Sequence, residues 1–261
     1  MTSADSPSGP HKKTLPRGIS LLRVVLATFS CYTLAYFLTA FGALLGCLVA
    51  VVRWQSFIRV GTVAWGHLLF LLLGRRLHIH GRENIARGRS YLVIVNHSSM
   101  YDIPAMMAAV PGVAIMGRDY LLKIPGFGRF LRILHYVPID TRSARSARSA
   151  LDLAACTIRD GISVGIFAEG TRTKDGKVQP LKRGFVHVLR QSGGDLLPVF
   201  IRGTFALKRK GSLFLDPRER IEVTVGSPVK NAALVKLADD EILTRVRSIL
   251  IDMSGGGNER Q

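Results

Sequence analysis

The stretch "YLVIVNHSSMYDIPAMMAA", residues 91–109, decides how the chain is read. The apolar run over 91–96 reads as a strand, and the segment from about 100 to 109 reads as a helix. The polar turn between them carries His97 and Asp102, five residues apart. One reading of that spacing is chemical: an imidazole that accepts a proton and a carboxylate that orients it. The other is local: Ser98 or Ser99 caps the helix and the turn has no further task.

Outward from this unit the same alternation repeats. Strands are expected at 77–80, 91–96, 113–117, 135–139, 162–167, 196–202 and 220–226. Helices are expected near 100–109, 119–133, 143–160, 183–192 and 232–251. Alternation of this kind specifies an α/β fold, a mixed and mainly parallel sheet flanked by helices, here over residues 77–252. Ligands in such folds sit beyond the carboxyl ends of the strands. Both "NHSSMYD" (96–102) and "FAEGTRT" (167–173) fall there.

Upstream, residues 1–18 read as a disordered basic tail. Val24 to Val52 then carry no formal charge and are bracketed by Arg23 and Arg53. As a helix this segment is about 43 Å long, more than a bilayer core of roughly 30 Å. A second apolar segment, 54–74, contains Arg59 and His67 and two tryptophans, Trp54 and Trp65, suited to headgroup depth. Residues 19–76 are therefore expected to form a two-helix membrane anchor, either spanning or re-entrant. Residues 253–261 read as a disordered tail.

Composition agrees with a membrane. The 261 residues are 48% hydrophobic and carry a formal net charge of +18, which together point to an anionic membrane surface. Nucleic acid is the rival explanation of the charge. No zinc-finger or RNA-binding signature accompanies it, and a DNA binder has no use for the apolar segment. Cys31, Cys47 and Cys156 show neither a disulfide framework nor metal-site spacing. No metal site is expected, and a cytosolic, reducing face is the simpler setting for the main domain.

The second polar segment adds phosphate chemistry. Gly170 lets the backbone turn sharply after a buried strand. Thr171 and the loop amides suit phosphate oxygens, and Arg172 suits the same phosphate in a bidentate way. Glu169 is expected to orient Arg172 or a substrate hydroxyl; the local reading is an ordinary strand-to-loop turn. "GRDYLLKIPGFGRFLR" (117–132) sets Arg118, Lys123, Arg129 and Arg132 around a Pro-Gly break. Arg142, Arg145 and Arg148 form a basic stripe, either solvated or facing lipid headgroups. "LLPVFIRGT" (196–204) is a buried strand whose Pro198 is expected in a pocket wall. Ser98 lacks the glycine-flanked elbow of a nucleophilic serine.

Four of these segments, in this order, resemble the glycerolipid acyltransferase family, especially its 1-acylglycerol-3-phosphate acyltransferases. "NHSSMYD" looks like the first block, His-x-x-x-x-Asp. "IPGFGRFLR" after Arg118 resembles the second, "FAEGTRT" the third and "LLPVFIRGT" the fourth. The resemblance covers roughly residues 77–230. It implies His97 as general base on a lysolipid hydroxyl and Asp102 as its orienting partner. It also implies Arg118, Glu169, Gly170, Thr171 and Arg172 as acceptor-binding residues, with Arg172 on the phosphate. The donor it implies is acyl-CoA or acyl carrier protein, with no cofactor beyond this co-substrate. The acceptor is lysophosphatidic acid, or alternatively another lysophospholipid or a lyso-ornithine lipid. The expected place is the inner or plasma membrane, with the catalytic domain on the cytoplasmic face. A non-catalytic basic membrane-binding protein is the alternative of another class. Ala168 departs from the family's usual Pro, Arg118 from its usual Lys, and "DTR" (140–142) from its Asp-Arg.

Overall fold

The computed structural model describes residues 29–30, 32–34, 36–42, 55–208, 215 and 220–255. Residues 1–18, residues 256–261 of the expected C-terminal tail and much of the first apolar segment, with Trp54, Cys31 and Cys47, lie outside the described residues; Met253, expected in that tail, ends the last described helix. Helical residues between 29 and 42 (α1) precede helix α2, Gln55–Leu72. The strands are β1 (Leu77–His80), β2 (Tyr91–Val95), β3 (Ala114–Arg118), β4 (Val137–Ile139), β5 (Val164–Phe167), β6 (Asp195–Arg202) and β7 (Ile221–Val225). The helices that follow α2 are α3 (Asp102–Ala109), α4 (Phe127–Ile133), α5 (Ala144–Arg159), α6 (Gly184–Ser192), α7 (Thr204–Leu207), α8 (Asn231–Leu234) and α9 (Asp239–Met253).

The strands form one sheet in the order β1-β7-β6-β2-β5-β3-β4. Every neighbouring pair is parallel except β6 and β7, which are antiparallel. This is the mixed, mainly parallel sheet expected. β2 lies at its centre and is buried along its whole length, because helices cover both faces. Tyr91, Val93 and Val95 point into one apolar layer with α2 and α3. Leu92 and Ile94 point into the other, with α5, α6 and α9. The period-two alternation of a strand thus feeds two cores at once.

Three local expectations change, the first being that the helix expected near 232–251 is two, α8 and α9. The helix expected over 119–133 is split: a 3₁₀ turn at Asp119–Lys123 is followed, after Pro125-Gly126, by α4. Gly126 adopts φ 74°, which a side-chain-bearing residue resists, so the helix restarts there. The short helix α7 was not expected at all; at four residues it is too short to show a hydrophobic period.

Of the expected two-helix anchor, the second segment is described as helix α2, and most of the first lies outside the described residues. No helix among the described residues is long and apolar enough to cross a membrane. α2 instead docks on the domain. Its Phe70 is fully buried, and Leu69 and Leu73 nearly so, in the same layer as α3. Burying a side chain such as Phe70 stabilises the docked helix by roughly 1.5–3 kcal/mol. Gly66 makes the approach possible: a Cβ there would lie 2.6 Å from Pro104 O and 2.9 Å from the Ala108 Cβ. Trp65, expected at headgroup depth, packs against the inner core. The outer face of α2 still exposes Val60, Leu68 and Leu71, and α1 exposes Phe29, Tyr36, Phe37 and Phe41.

Candidate active site

Strands β2, β5 and β6 run parallel side by side, so their carboxyl ends open on the same edge of the sheet. His97 follows β2, Glu169 to Thr173 follow β5, and Thr204 follows β6. The central strands therefore deliver three separate sequence segments to one place.

Asn96 continues β2 beyond its last strand residue. Its side-chain Nδ2 donates to Ile201 O at 2.9 Å, and its Oδ1 accepts from Ile201 N at 2.8 Å. The side-chain amide substitutes for a peptide group, so β6 keeps its pairing while the β2 backbone turns away. His97 is then presented at the rim. Its Nδ1 lies 3.0 Å from Asp102 Oδ2. Its ring stacks on Phe167, with centroids 4.1 Å apart.

Asp102 is fully buried, and donors converge on it. Oδ2 accepts from the backbone N–H of Ser98 at 2.6 Å and of Ser99 at 2.8 Å. Oδ1 accepts from Thr204 Oγ1 at 2.5 Å and from Ser98 Oγ at 3.4 Å. A carboxylate so surrounded acts only as an acceptor, so the His97 Nδ1 carries the proton. Nε2 is then the basic nitrogen, and it makes no hydrogen bond among the described residues. The expected capping by Ser98 or Ser99 is replaced by its reverse: no side chain caps α3, and the Asp102 carboxylate caps the amides of the turn before it. Ser98 is buried, with its hydroxyl 3.0 Å from Thr204 Oγ1, and so is occupied in supporting Asp102.

Glu169 is 2% exposed. Its Oε1 accepts from His97 N at 2.8 Å and its Oε2 from Gln179 N at 3.1 Å. The carboxylate thus ties the His97 peptide to the far end of the loop after β5, rather than orienting Arg172. Thr173 N closes the same seam by donating to His97 O at 2.8 Å. Burial pushes the Glu169 carboxyl up to about 7; the two N–H donors oppose this, and the charges of Asp102 and Asp175 add to it. Gly170 has φ 73°, the sharp turn its residue type foretold. Thr171 is exposed and Arg172 half-buried beside the seam.

Arg118 is placed differently. It ends β3, two positions from β2 in the sheet, and its Nη1 donates to Thr141 Oγ1 at 2.8 Å. It contacts neither His97 nor Asp102. Arg142 folds back on Asp140, Nε to Oδ1 at 3.0 Å, so it leaves the basic stripe to Arg145 and Arg148 on α5. Pro198 lies mid-strand in β6, paired opposite Ile94 and several residues short of the rim; it is a sheet residue rather than a pocket wall. Thr204 is the functional residue that sequence reasoning missed. Its signal was the Gly203-Thr204 pair at the end of the fourth block. Gly203 takes φ 88°, and a Cβ there would sit 2.0 Å from Arg220 O. Only glycine makes that turn, and the turn aims Thr204 at Asp102.

The fold and the His-Asp rim define a class, and comparison with known proteins supplies it. The acyltransferase family pattern matches residues 76–202. A 1-acyl-sn-glycerol-3-phosphate acyltransferase of Borreliella burgdorferi is 30% identical over 189 residues, which cover 69% of this chain and 75% of that one. A protein of the same description from Cocos nucifera is 32% identical over 167 residues, 63% of this chain and 53% of its own length. The chain thus spans about half the length of that plant relative. The crystal structure of the 1-acyl-sn-glycerophosphate acyltransferase PlsC from Thermotoga maritima superimposes with a TM-score of 0.81 at 25% identity, covering 92% of this chain and 98% of that one. The chain belongs to the acyltransferase family, among members of the 1-acyl-sn-glycerol-3-phosphate acyltransferase type.

Proposed function

We propose that the protein transfers an acyl chain from acyl-CoA or acyl carrier protein to the free hydroxyl of lysophosphatidic acid, forming phosphatidic acid. The observation that carries this reading is the His97–Asp102 contact of 3.0 Å at the carboxyl edge of β2, with Nε2 making no hydrogen bond among the described residues. In the mechanism, Nε2 takes the hydroxyl proton as the oxygen attacks the thioester carbonyl. The tetrahedral intermediate collapses, the C–S bond breaks, and the leaving thiolate recovers the proton from His97. Asp102 holds the ring and stabilises the imidazolium that forms between the two steps. Transfer is direct, without an acyl-enzyme: the hydroxyls of Ser98, Ser99 and Thr204, which flank His97 and Asp102, are buried and hydrogen-bonded within the protein.

Arg172 serves the acceptor phosphate in this proposal, and Glu169 holds the His97 backbone in place. We place the enzyme on an anionic membrane, at the cytoplasmic face. The support for this is the net charge of +18 together with the exposed apolar side chains of α1 and α2.

The experiment uses purified protein in lipid, labelled palmitoyl-CoA, and lysophosphatidic acid, lysophosphatidylcholine or lyso-ornithine lipid as acceptor. Phosphatidic acid should form with the wild type, and His97→Ala should lose about a hundredfold to ten-thousandfold of the rate. Product from another acceptor alone changes the substrate and keeps the mechanism. Undiminished transfer by His97→Ala overturns the mechanism.

A further inference from the structure

One buried cation near the site has no part in the chemistry above. Lys208 follows α7 directly and is 9% exposed. Among the described residues, no carboxylate lies within ion-pair distance of Lys208 or of Arg172. Two tethers hold Lys208 beside the His97 turn. Ser99 Oγ donates to Lys208 O at 3.0 Å, and Lys208 N donates to Thr204 O at 3.0 Å. Arg172 is fixed to the same turn through its neighbour, because Thr173 N bonds His97 O. Burial, and then the Arg172 charge, lower the Lys208 pKa, so the two cations act on one another. Like charges held near one another, with no carboxylate paired to either among the described residues, repel. An anion shared by both converts that repulsion into attraction.

We propose that Lys208 is a second ligand, together with Arg172, for the phosphate monoester of the acceptor. Arg172 supplies a planar two-pronged contact and Lys208 a point charge, a division suited to a phosphate bearing more than one charge. The assignment rests on the acyl-transfer reading above. A phosphate monoester also occurs on the CoA moiety of the donor, so the two sources must be separated.

The test uses the full chain in lipid nanodiscs. Lys208→Met keeps the apolar stem and removes the charge, and Lys208→Arg keeps the charge. KM is measured for lysophosphatidic acid at saturating palmitoyl-CoA, and the reverse. Lys208→Met should raise the KM for lysophosphatidic acid about tenfold to a hundredfold and leave that for palmitoyl-CoA within about twofold. Lys208→Arg should recover most of the loss. A rise confined to palmitoyl-CoA, a loss confined to kcat, or no change in either KM overturns the proposal.

A second readout needs no turnover. Glycerol 3-phosphate, with glycerol as control, should raise the Tm of wild type and of Lys208→Arg, and not that of Lys208→Met. If the wild type does not acylate lysophosphatidic acid but shows this pattern, the transfer reading fails and the phosphate site stands. If transfer proceeds and Lys208→Met is stabilised as much as wild type, the site fails and the transfer reading stands.

Discussion

Glu169→Gln separates two roles for one carboxylate. In the structure both oxygens are in use, Oε1 on the N–H of His97 at 2.8 Å and Oε2 on the N–H of Gln179 at 3.1 Å. Glutamine has the same size but a single acceptor oxygen, so its NH₂ must face one of these N–H groups. Leaving one buried backbone donor unpaired costs about 1–3 kcal/mol, or about 2–10 °C in Tm for a chain of this size. One of the two bonds holds the peptide of His97 itself, so kcat should fall by a larger factor than the acceptor KM rises.

The same residue sets a pH dependence. The Glu169 carboxyl titrates near 4.5 in the unfolded chain and is pushed up to about 7 in the folded one. Between those values the folded protein holds a proton that the unfolded chain has released. Stability therefore falls as pH rises through this window, by about 3 kcal/mol in all, and levels off above it. Glu169→Gln has no titrating group there and should lose that component of the slope. Thermal unfolding followed by tryptophan fluorescence from pH 4.5 to 8, with steady-state kinetics at pH 7.5, measures both effects. A Glu169→Gln protein as stable as wild type, with kcat kept and only the acceptor KM raised, would refute this argument. It would return Glu169 to the acceptor-binding role that family resemblance implies.

Thr204→Val removes the hydroxyl that donates to Asp102 Oδ1 at 2.5 Å while keeping the side-chain volume; denaturant titration should show a loss of about 1.5–3 kcal/mol, and Thr204→Ser should restore both stability and rate. Asp102→Asn leaves an amide where Oδ2 now serves His97, Ser98 and Ser99, so kcat should fall about a hundredfold or more with the acceptor KM little changed. Gly66→Val must push α2 off Pro104 and Ala108, lowering stability by about 1–3 kcal/mol in thermal unfolding. Gly61→Ala on the same helix meets nothing within 4 Å and should be neutral, or stabilising by up to about 1 kcal/mol.

All seven strands are legible in the sequence, with ends that differ by a residue or two, because a strand buried between helical layers is a short apolar run bounded by breakers. The split of 119–133 at Pro125-Gly126 was legible as a break but not as a change of helix type, since 3₁₀ and α turns share their sequence signals. The apolar content of 54–74 was equally plain, and its destination was not. Leu69, Phe70 and Leu73 satisfy a lipid bilayer and a protein core alike, and Gly66 tips the balance only once α3 lies opposite it.

The candidate site divides in the same way. His97 and Asp102 are neighbours in sequence, and a turn of five residues is short enough for spacing alone to bring them together. Gly170 likewise announced its positive φ by residue type. Thr204 is 102 residues from Asp102, and Lys208 is 109 from Ser99. Their approach depends on β6 pairing in parallel with β2, a long-range choice that no local pattern encodes. Glu169 stands in a segment whose chemistry was evident, but its partner was decided by the β2–β5 register, which sets its carboxylate against the His97 peptide. Residue types and local spacing determine which groups are available for chemistry. Strand order and register determine which of them meet, because hydrogen bonds at 3 Å require backbone segments far apart in sequence to be aligned by a shared sheet.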